Sequence, residues 1–567
     1  MNYLIAHILL YRRALLEVFA TALIVSSFSF FFPRWSEKLF SYPERLLSRW
    51  ASHRILSICI LFLSVCALRL SLLPLLPVPV PRIHDEFSYL LMADTFAHGR
   101  LANPTHPLWI SFETFHVNWF PTYSSIYPPA QGLILAVGQL LGHPWIGVLL
   151  SDAAMCAAIL WMLLAWMPAR WALLGALLAA AKFGVASYWM NSYWGGAVAA
   201  IGGALVLGAM ARISRRPAVR DAIILGIGLT ILAASRPYEG FLFCIPVAIW
   251  FLFWLAGKSK SPVHAKTNPR TRFTRVVIPV LAVLSAAALA SGYYNWRLTG
   301  NPLLMPHVLR TRTYHSSALF LWQHPRPPLH YNNQIFEDFY NGWERDNYRN
   351  TWADVRRVSL EILKRGASTY FWWGALLLLP ALPFALKRNT TRLLVAILAI
   401  EIAGVFAVIW SFPHYAAPLT SVLIALLVQC IRYLRTMRLA RRPLGRWIAR
   451  AAVLLLFMDV ATGVARRQCD PLGWTCEGNV ERATILKNLL HTPGAHLVMV
   501  RYEPDHNVHD DWVANGAEID TSKVLWAREL DENQNRELFD YFKDRHIWLV
   551  EPDVDTTVLR PYAPPEE

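Results

Sequence analysis

Asp85 and Glu86 are adjacent carboxylates in the segment Pro81-Arg-Ile-His-Asp-Glu-Phe-Ser-Tyr89, just past the first strongly apolar run of the chain. A carboxylate beside a reacting hydroxyl serves as general base, and its neighbour raises its pKa or orients the acceptor. Charge held at a membrane boundary is costly, so such a pair marks a functional site. The same residues would also suit a helix N-terminus, where acids complement the dipole, because 87–97 reads as helical. From there to Tyr127-Pro-Pro-Ala-Gln-Gly132 the chain is too apolar and aromatic for an ordinary solvated loop.

Other residues with chemical potential stand at similar breaks. In Arg236-Pro-Tyr-Glu-Gly240, Arg236 can grip a phosphate through two parallel hydrogen bonds and Glu239 can hold it in place. A plain helical hairpin with an interfacial ion pair fits the string equally well. Trp189-Met-Asn-Ser-Tyr-Trp-Gly-Gly196, with Asn191, and Phe412-Pro-His-Tyr415, with His414 and Tyr415, offer aromatic planes and polar groups that suit a sugar. His116, with Asn118 and Tyr123, has the same character. Aromatic belts are the default at a membrane interface, so each cluster alone reads as belt before site.

The elements that must position these groups follow from composition. Of 567 residues, 55% are hydrophobic and 16% charged, against about 25% charged in soluble domains. This is the signature of a polytopic membrane protein. Its formal charge of +16 comes from basic loops between apolar segments rather than from a nucleic-acid-binding face. Eleven apolar runs can cross a ~30 Å hydrocarbon core, at 55–77, 145–166, 171–188, 194–211, 221–235, 241–257, 276–295, 370–386, 393–410, 414–431 and 451–465. Strict alternation puts the basic stretches 212–220, 258–275 and 432–450 on one side, the cytoplasmic one. The dyad, the large loops 78–144 and 296–369, and the tail from 468 then share the outer face, with 127–142 lying in the interface. Asp152 and Lys182 fall at similar depth on neighbouring runs and are expected to neutralise one another.

Residues 1–54 form an apolar and basic segment in which 14–32 either adds a span or lies along the surface. The last hundred residues read as a small α/β domain, with strands at 496–502, 523–530 and 546–551 and a helix at 532–545. Cys469 and Cys476 flank a Pro/Gly turn and suit a local disulfide on an oxidising face. Asp553-Val-Asp555 looks like a metal pair but reads as solvated. There is no phosphate-cradling glycine loop, His-Glu-x-x-His or Gly-x-Ser-x-Gly, which argues against nucleotide-driven pumps, zincin proteases and lipases.

With these features in order, the chain resembles the GT-C class of polytopic glycosyltransferases that use polyprenyl-phosphate sugars, such as protein O-mannosyltransferases and the aminoarabinose transferase acting on lipid A. Asp85-Glu86, the helical stretch 87–97, Tyr127-Pro128-Pro129 and the later loop 296–369 occupy the places of that pattern. The resemblance covers most of 55–430. It implies a mainly α fold of about 11–12 transmembrane helices, with interfacial helices in the first outer loop and the small α/β domain added outside. It further implies inverting transfer of a sugar from a polyprenyl-phosphate donor to an acceptor hydroxyl or amine on lipid, glycan or protein. Asp85 would be the base, Glu86 its assistant, and Arg236 the cation on the departing phosphate. Relatives often carry a lysine at or beside the Pro-Pro step; here Ile126 and Tyr127 stand there, so either Arg236, Arg297 or His414 supplies that charge or the donor is bound differently. Some members use a divalent metal, for which no ligand cluster stands out here, and no organic cofactor is implied. The expected location is the bacterial inner membrane, with the active site on its periplasmic face. The rival readings are a transporter or lipid flippase, which would want broken helices and repeated halves, and a noncatalytic assembly protein.

Overall fold

The computed structural model describes residues 2–257, 268–348, 351–409, 411–465 and 478–562. The protein is a multi-pass, mainly helical membrane protein with a small C-terminal α/β domain. Five described helices are long and apolar enough to cross a bilayer, or seven if each of two bent pairs is one span. Helices of 19 and 22 residues also stand at the runs read at 393–410 and 451–465, while other runs are too short or are bent. The run read at 171–188 is helical only over Ala169–Phe183, 15 residues, about 22 Å at 1.5 Å per residue. Its remainder joins an irregular segment, 184–196, that leads to the site. The run at 370–386 is a 3₁₀ helix, Trp373–Ala381, followed by Leu382–Ala385. It bends by 92° from Trp352–Tyr370 at the break 371–372; Pro380 and Pro383 lie further along, inside the second helix.

Pro144–Trp166 is the central helix, and its Ala153, Ile159 and Leu163 are fully enclosed. Glycines let its neighbour approach. A Cβ added at Gly147 would lie 2.1 Å from the Ile134 carbonyl oxygen, so the helix Pro129–Leu140 seats directly on this turn. The expected interfacial helix at 127–142 is therefore present and packed against protein. The N-terminal stretch forms two helices, Asn2–Phe31 and Pro33–Ser52, with 116° between 15–31 and the second. The second is tied to the basic stretch 432–450 by Glu44–Arg435 (2.9 Å) and Glu37–Arg450 (3.0 Å).

Asp152 and Lys182 do not pair. Asp152 is fully buried, and neither of its oxygens has a hydrogen-bond partner among the described residues. The Lys182 ammonium instead sits 5.3 Å from the Trp372 ring. Shared depth did not imply facing sides. Cys469 and Cys476, like the boundary at 467/468, lie outside the described residues. The C-terminal domain has the expected strands at Ala495–Val500, Val524–Arg528 and Arg545–Glu551, all parallel, and the helix Glu532–Tyr541. An antiparallel edge strand, Asp555–Pro561, and a helix, Val480–His491, complete it. Asp555 thus belongs to a strand, while Asp553 accepts from His506 (2.7 Å), so the pair is structural.

Arg69 fixes the approach to the site. Its buried guanidinium donates to the carbonyls of Leu76 (2.8 Å) and Pro77 (3.1 Å) and to Asn191 Oδ1 (2.8 Å), and lies 4.7 Å from the Trp145 ring. Arg69→Ala strands these acceptors and is expected to cost about 3 kcal/mol. Thermal unfolding in detergent reads this as a lowered midpoint; an unchanged midpoint would deny Arg69 that role.

Candidate active site

The helix carrying the dyad is His84–Ala97, three residues longer at its start than expected, so Asp85 and Glu86 sit in its first turn. The two carboxylates have different tasks. Glu86 closes the helix end: its Oε2 accepts from the N–H of Arg82 (3.0 Å) and Ile83 (3.4 Å), and its Oε1 from the N–H of Tyr193 (3.0 Å). It thereby clips the irregular segment 184–196 onto the dyad. Burial pushes its carboxyl up to about 7, against the pull of those three donors.

Asp85 faces side chains instead. The Tyr127 phenol donates to Oδ1. Oδ2 lies 3.1 Å from His84 Nδ1 and 3.8 Å from His116 Nε2. Burial works to raise Asp85, but the imidazoles of His116 and His84 and the Tyr127 phenol outweigh it and hold the carboxyl well below its usual range. His116 is pushed well down by burial.

His116 has φ +55°, the left-handed region that non-glycine residues occupy sparingly. Its carbonyl is held by Ser88 Oγ (2.7 Å) and the Ile126 N–H (3.2 Å). This is local strain at the candidate site, sustained by the surrounding bonds. Tyr127 is fixed by stacking on Tyr89, with ring centroids 4.3 Å apart.

A cation borders this pocket. The Arg236 guanidinium lies 4.3 Å from the Tyr415 ring, with Glu239 buried in the next turn. Burial pushes the Tyr89 phenol up to about 12, and the Arg236 cation opposes that rise. His414 is buried, 4.5 Å from the Trp194 ring and 3.3 Å from the Tyr188 hydroxyl.

Two further segments enclose the pocket. From 296–369, Arg310 donates to the Val117 carbonyl (2.7 Å), and Asn118 donates to the Pro306 carbonyl (3.0 Å). Glu113 receives the Tyr314 phenol (2.5 Å) and Asn333 (2.7 Å). The C-terminal domain docks beside them: Thr114 donates to Asp511 (2.6 Å), and Ala517 N–H donates to Asp94 (2.7 Å). This docking brings His509 to 5.7 Å from His84, ring to ring. Burial pushes His509 down to about 4.

Asp85, Glu86, His116 and Tyr127 thus converge, with Arg236, Glu239, His414 and Tyr415 alongside. Asn191 is turned to Arg69 and the 185–187 carbonyls, and Arg297 is exposed and bonded to Tyr293. Sequence reasoning missed His84 and His509 as site residues. His84 directly precedes Asp85, a usable signal. His509 arrives through tertiary docking and left no local one.

His84, Asp85 and His116 offer ligand atoms within 4.8 Å of one another, all buried. His84 Nε2 and His116 Nδ1 have no hydrogen-bond partner among the described residues. Two imidazoles and a carboxylate suit zinc or another divalent transition metal, so this trio fits a cation. Adding zinc or manganese to the purified chain is expected to raise the unfolding midpoint, and His116→Ala to abolish the rise. No shift in wild type would reject the site. Glu86 gives a separate expectation. Its folded pKa of about 7 exceeds the ordinary 4.5, so its stabilising contribution is full below 4.5 and lost as pH rises through 7. Glu86→Gln should flatten this part of the stability–pH curve; parallel curves would contradict it.

No family model and no curated protein matches the sequence. Among solved structures, the chain is similar to the Archaeoglobus fulgidus oligosaccharyltransferase tethered with an acceptor peptide containing the NVT sequon, at 12% identity and a TM-score of 0.43. That overlap covers 77% of this chain and 61% of the oligosaccharyltransferase. The same enzyme in complex with Zn and sulfate gives 11% identity and 0.43 over 78% and 60%. ArnT from Cupriavidus metallidurans bound to undecaprenyl phosphate gives 11% identity and 0.47, covering 89% of this chain and 90% of that one. Scores below one half leave membership of a family to be decided by the site's chemistry.

Proposed function

We propose that the chain is a membrane glycosyltransferase of the GT-C kind, moving a sugar from a polyprenyl-phosphate donor to an acceptor hydroxyl or amine on the outer, periplasmic face of a bacterial inner membrane. The observation that carries this reading is a buried Asp85 bonded to Tyr127 in a cluster of tyrosines and histidines from separate segments, with the Arg236 cation on the neighbouring Tyr415 ring. A sugar phosphate needs a cation for its leaving group and an acceptor for the incoming proton. In the proposed step the acceptor O–H or N–H attacks the anomeric carbon from the face opposite the phosphate. The new glycosidic bond forms as the carbon–phosphate oxygen bond breaks, so the configuration inverts. The acceptor proton passes to Asp85, and the electron pair leaves with the polyprenyl phosphate beside Arg236. Asp85 is held low, so it takes the proton late, once the acceptor oxygen or nitrogen has become acidic through bonding to carbon. Glu86 and Tyr127 hold Asp85 in place, with His84 and His116 at its other oxygen.

Trp194, His414 and Tyr415 provide ring faces and a polar edge for the sugar. His84, Asp85 and His116 would hold a divalent cation, which would supply positive charge beside the Asp85 carboxylate. The outer compartment lacks nucleotide sugars, which favours a lipid-borne donor, and the basic stretches at the other end of the bundle favour this orientation.

Sugar transfer from a panel of radiolabelled polyprenyl-phosphate sugars, with membranes containing wild type or Asp85→Asn, tests the reading. Consumption by wild type, reduced at least 100-fold in Asp85→Asn at equal folded protein, is the expected result, within the range of general-base losses of about 10²–10⁴. Equal consumption by both would remove Asp85 as base. Transbilayer movement of the lipid without sugar transfer would instead identify a flippase.

A further inference from the structure

Six arginines converge on one cavity of about 700 Å³. Arg54 comes from the start of Arg54–Ser71, and Arg212, Arg215 and Arg216 from the end of Ala197–Ile213 and the turn beyond. Arg220 opens Val219–Ser235, and Arg275 lies in Phe273–Val277. This is the end of the bundle opposite Asp85. Val219–Ser235 starts in the cavity wall and finishes at Arg236, its 17 residues spanning about 25 Å.

One acid lines the cavity among them, Asp221, which is buried and 3.5 Å from Arg220. Arg212 is oriented rather than neutralised: it donates to the carbonyls of Gly208 (2.8 Å) and Trp161 (2.7 Å) and lies 3.8 Å from the Trp161 ring. Arg215 donates to the Ala165 carbonyl. Arg54, Arg216 and Arg275 are exposed and have no ion-pair partner among the described residues. The fold treats its other basic stretch differently, setting Glu37 and Glu44 against Arg435, Arg446 and Arg450. Positive charge left unmatched around a cavity calls for an anion.

The surroundings indicate which kind. Beside the cavity, Ile55, Val219, Ile223, Ile227, Phe273 and Leu281 present exposed apolar side chains. Charge at the mouth and hydrocarbon along the flanks match a lipid, and basic pockets at the ends of spanning helices take anionic head groups. We propose that this cavity binds the phosphate head group of an anionic phospholipid, gripped by arginine forks, with its acyl chains along the apolar flanks of 54–71, 219–235 and 278–299. Guanidinium forks meet phosphate oxygens in pairs, which lysine cannot reproduce.

Native mass spectrometry of the full chain in detergent tests this with phosphatidylglycerol, phosphatidylcholine of the same chains, and inorganic pyrophosphate. Wild type is expected to bind phosphatidylglycerol at least tenfold more tightly than phosphatidylcholine or pyrophosphate. The triple variant Arg54→Lys, Arg216→Lys, Arg275→Lys keeps the charge and the topology, and is expected to lose about tenfold. The same change at Arg438, Arg441 and Arg442 should lose nothing. Equal binding by wild type and the first triple variant would overturn the cavity assignment, as would an equal loss in both triple variants. Pyrophosphate binding as tightly as phosphatidylglycerol would overturn the lipid and leave a soluble phosphate as the ligand.

Discussion

Two carboxylates buried in a single helical turn are the constraint around which one end of the molecule is organised. Taking an ionised group out of water costs several kcal/mol after relaxation, and the protein meets that cost twice by different means. Glu86 is surrounded by backbone donors from two segments and its pKa still rises to about 7. Asp85 is met by side chains and is held ionised. The first solution is structural: it closes the helix His84–Ala97 and attaches 184–196 to it. The second leaves a charged oxygen facing two imidazoles, which is a chemically usable arrangement.

The rest of that end keeps the arrangement enclosed. Phe115, Phe336, Phe339 and Tyr340 pack into one aromatic cluster beside His84 and His116. Arg310, Glu113 and Arg528 tie three separate regions of the chain together with buried hydrogen bonds. In surroundings so depleted of water, charges act on one another more strongly than they would at a surface. The C-terminal domain is part of this enclosure, since its 502–517 segment meets the first outer loop at Thr114, Tyr123 and Asp94. A role for that domain confined to distant acceptor recognition would leave these contacts unexplained.

The sequence made the fold class and the centre of the site legible because both rest on local signals. Apolar runs mark the helices, and an acidic pair beside a Pro-Pro step marks Asp85, Glu86 and Tyr127. Arg236 and Tyr415, which the sequence reading placed on one face, are in contact across 179 positions of chain. What failed depended on facing direction or on a bend. Asp152 and Lys182 share a depth without facing one another, and the run at 370–386 is turned by 92° from the helix before it instead of standing as a separate straight span. Arg297 and Asn191 have suitable chemistry, but one is exposed and the other is committed to Arg69. His509 reaches His84 only because a separate domain docks there, and no pattern within 500–517 encodes that docking.

The two ends of the bundle present cations in contrasting ways: enclosed at the Arg236 end, open at Arg212–Arg220. The central claim concerns the first of these ends. Photo-crosslinking with a photoactivatable polyprenyl phosphate, followed by peptide mapping, tests it most directly. The account predicts labelled peptides containing 81–89, 127–132 and 236–240, with labelling suppressed in Arg236→Ala. Labelling confined to other segments, or unchanged in that variant, would contradict it.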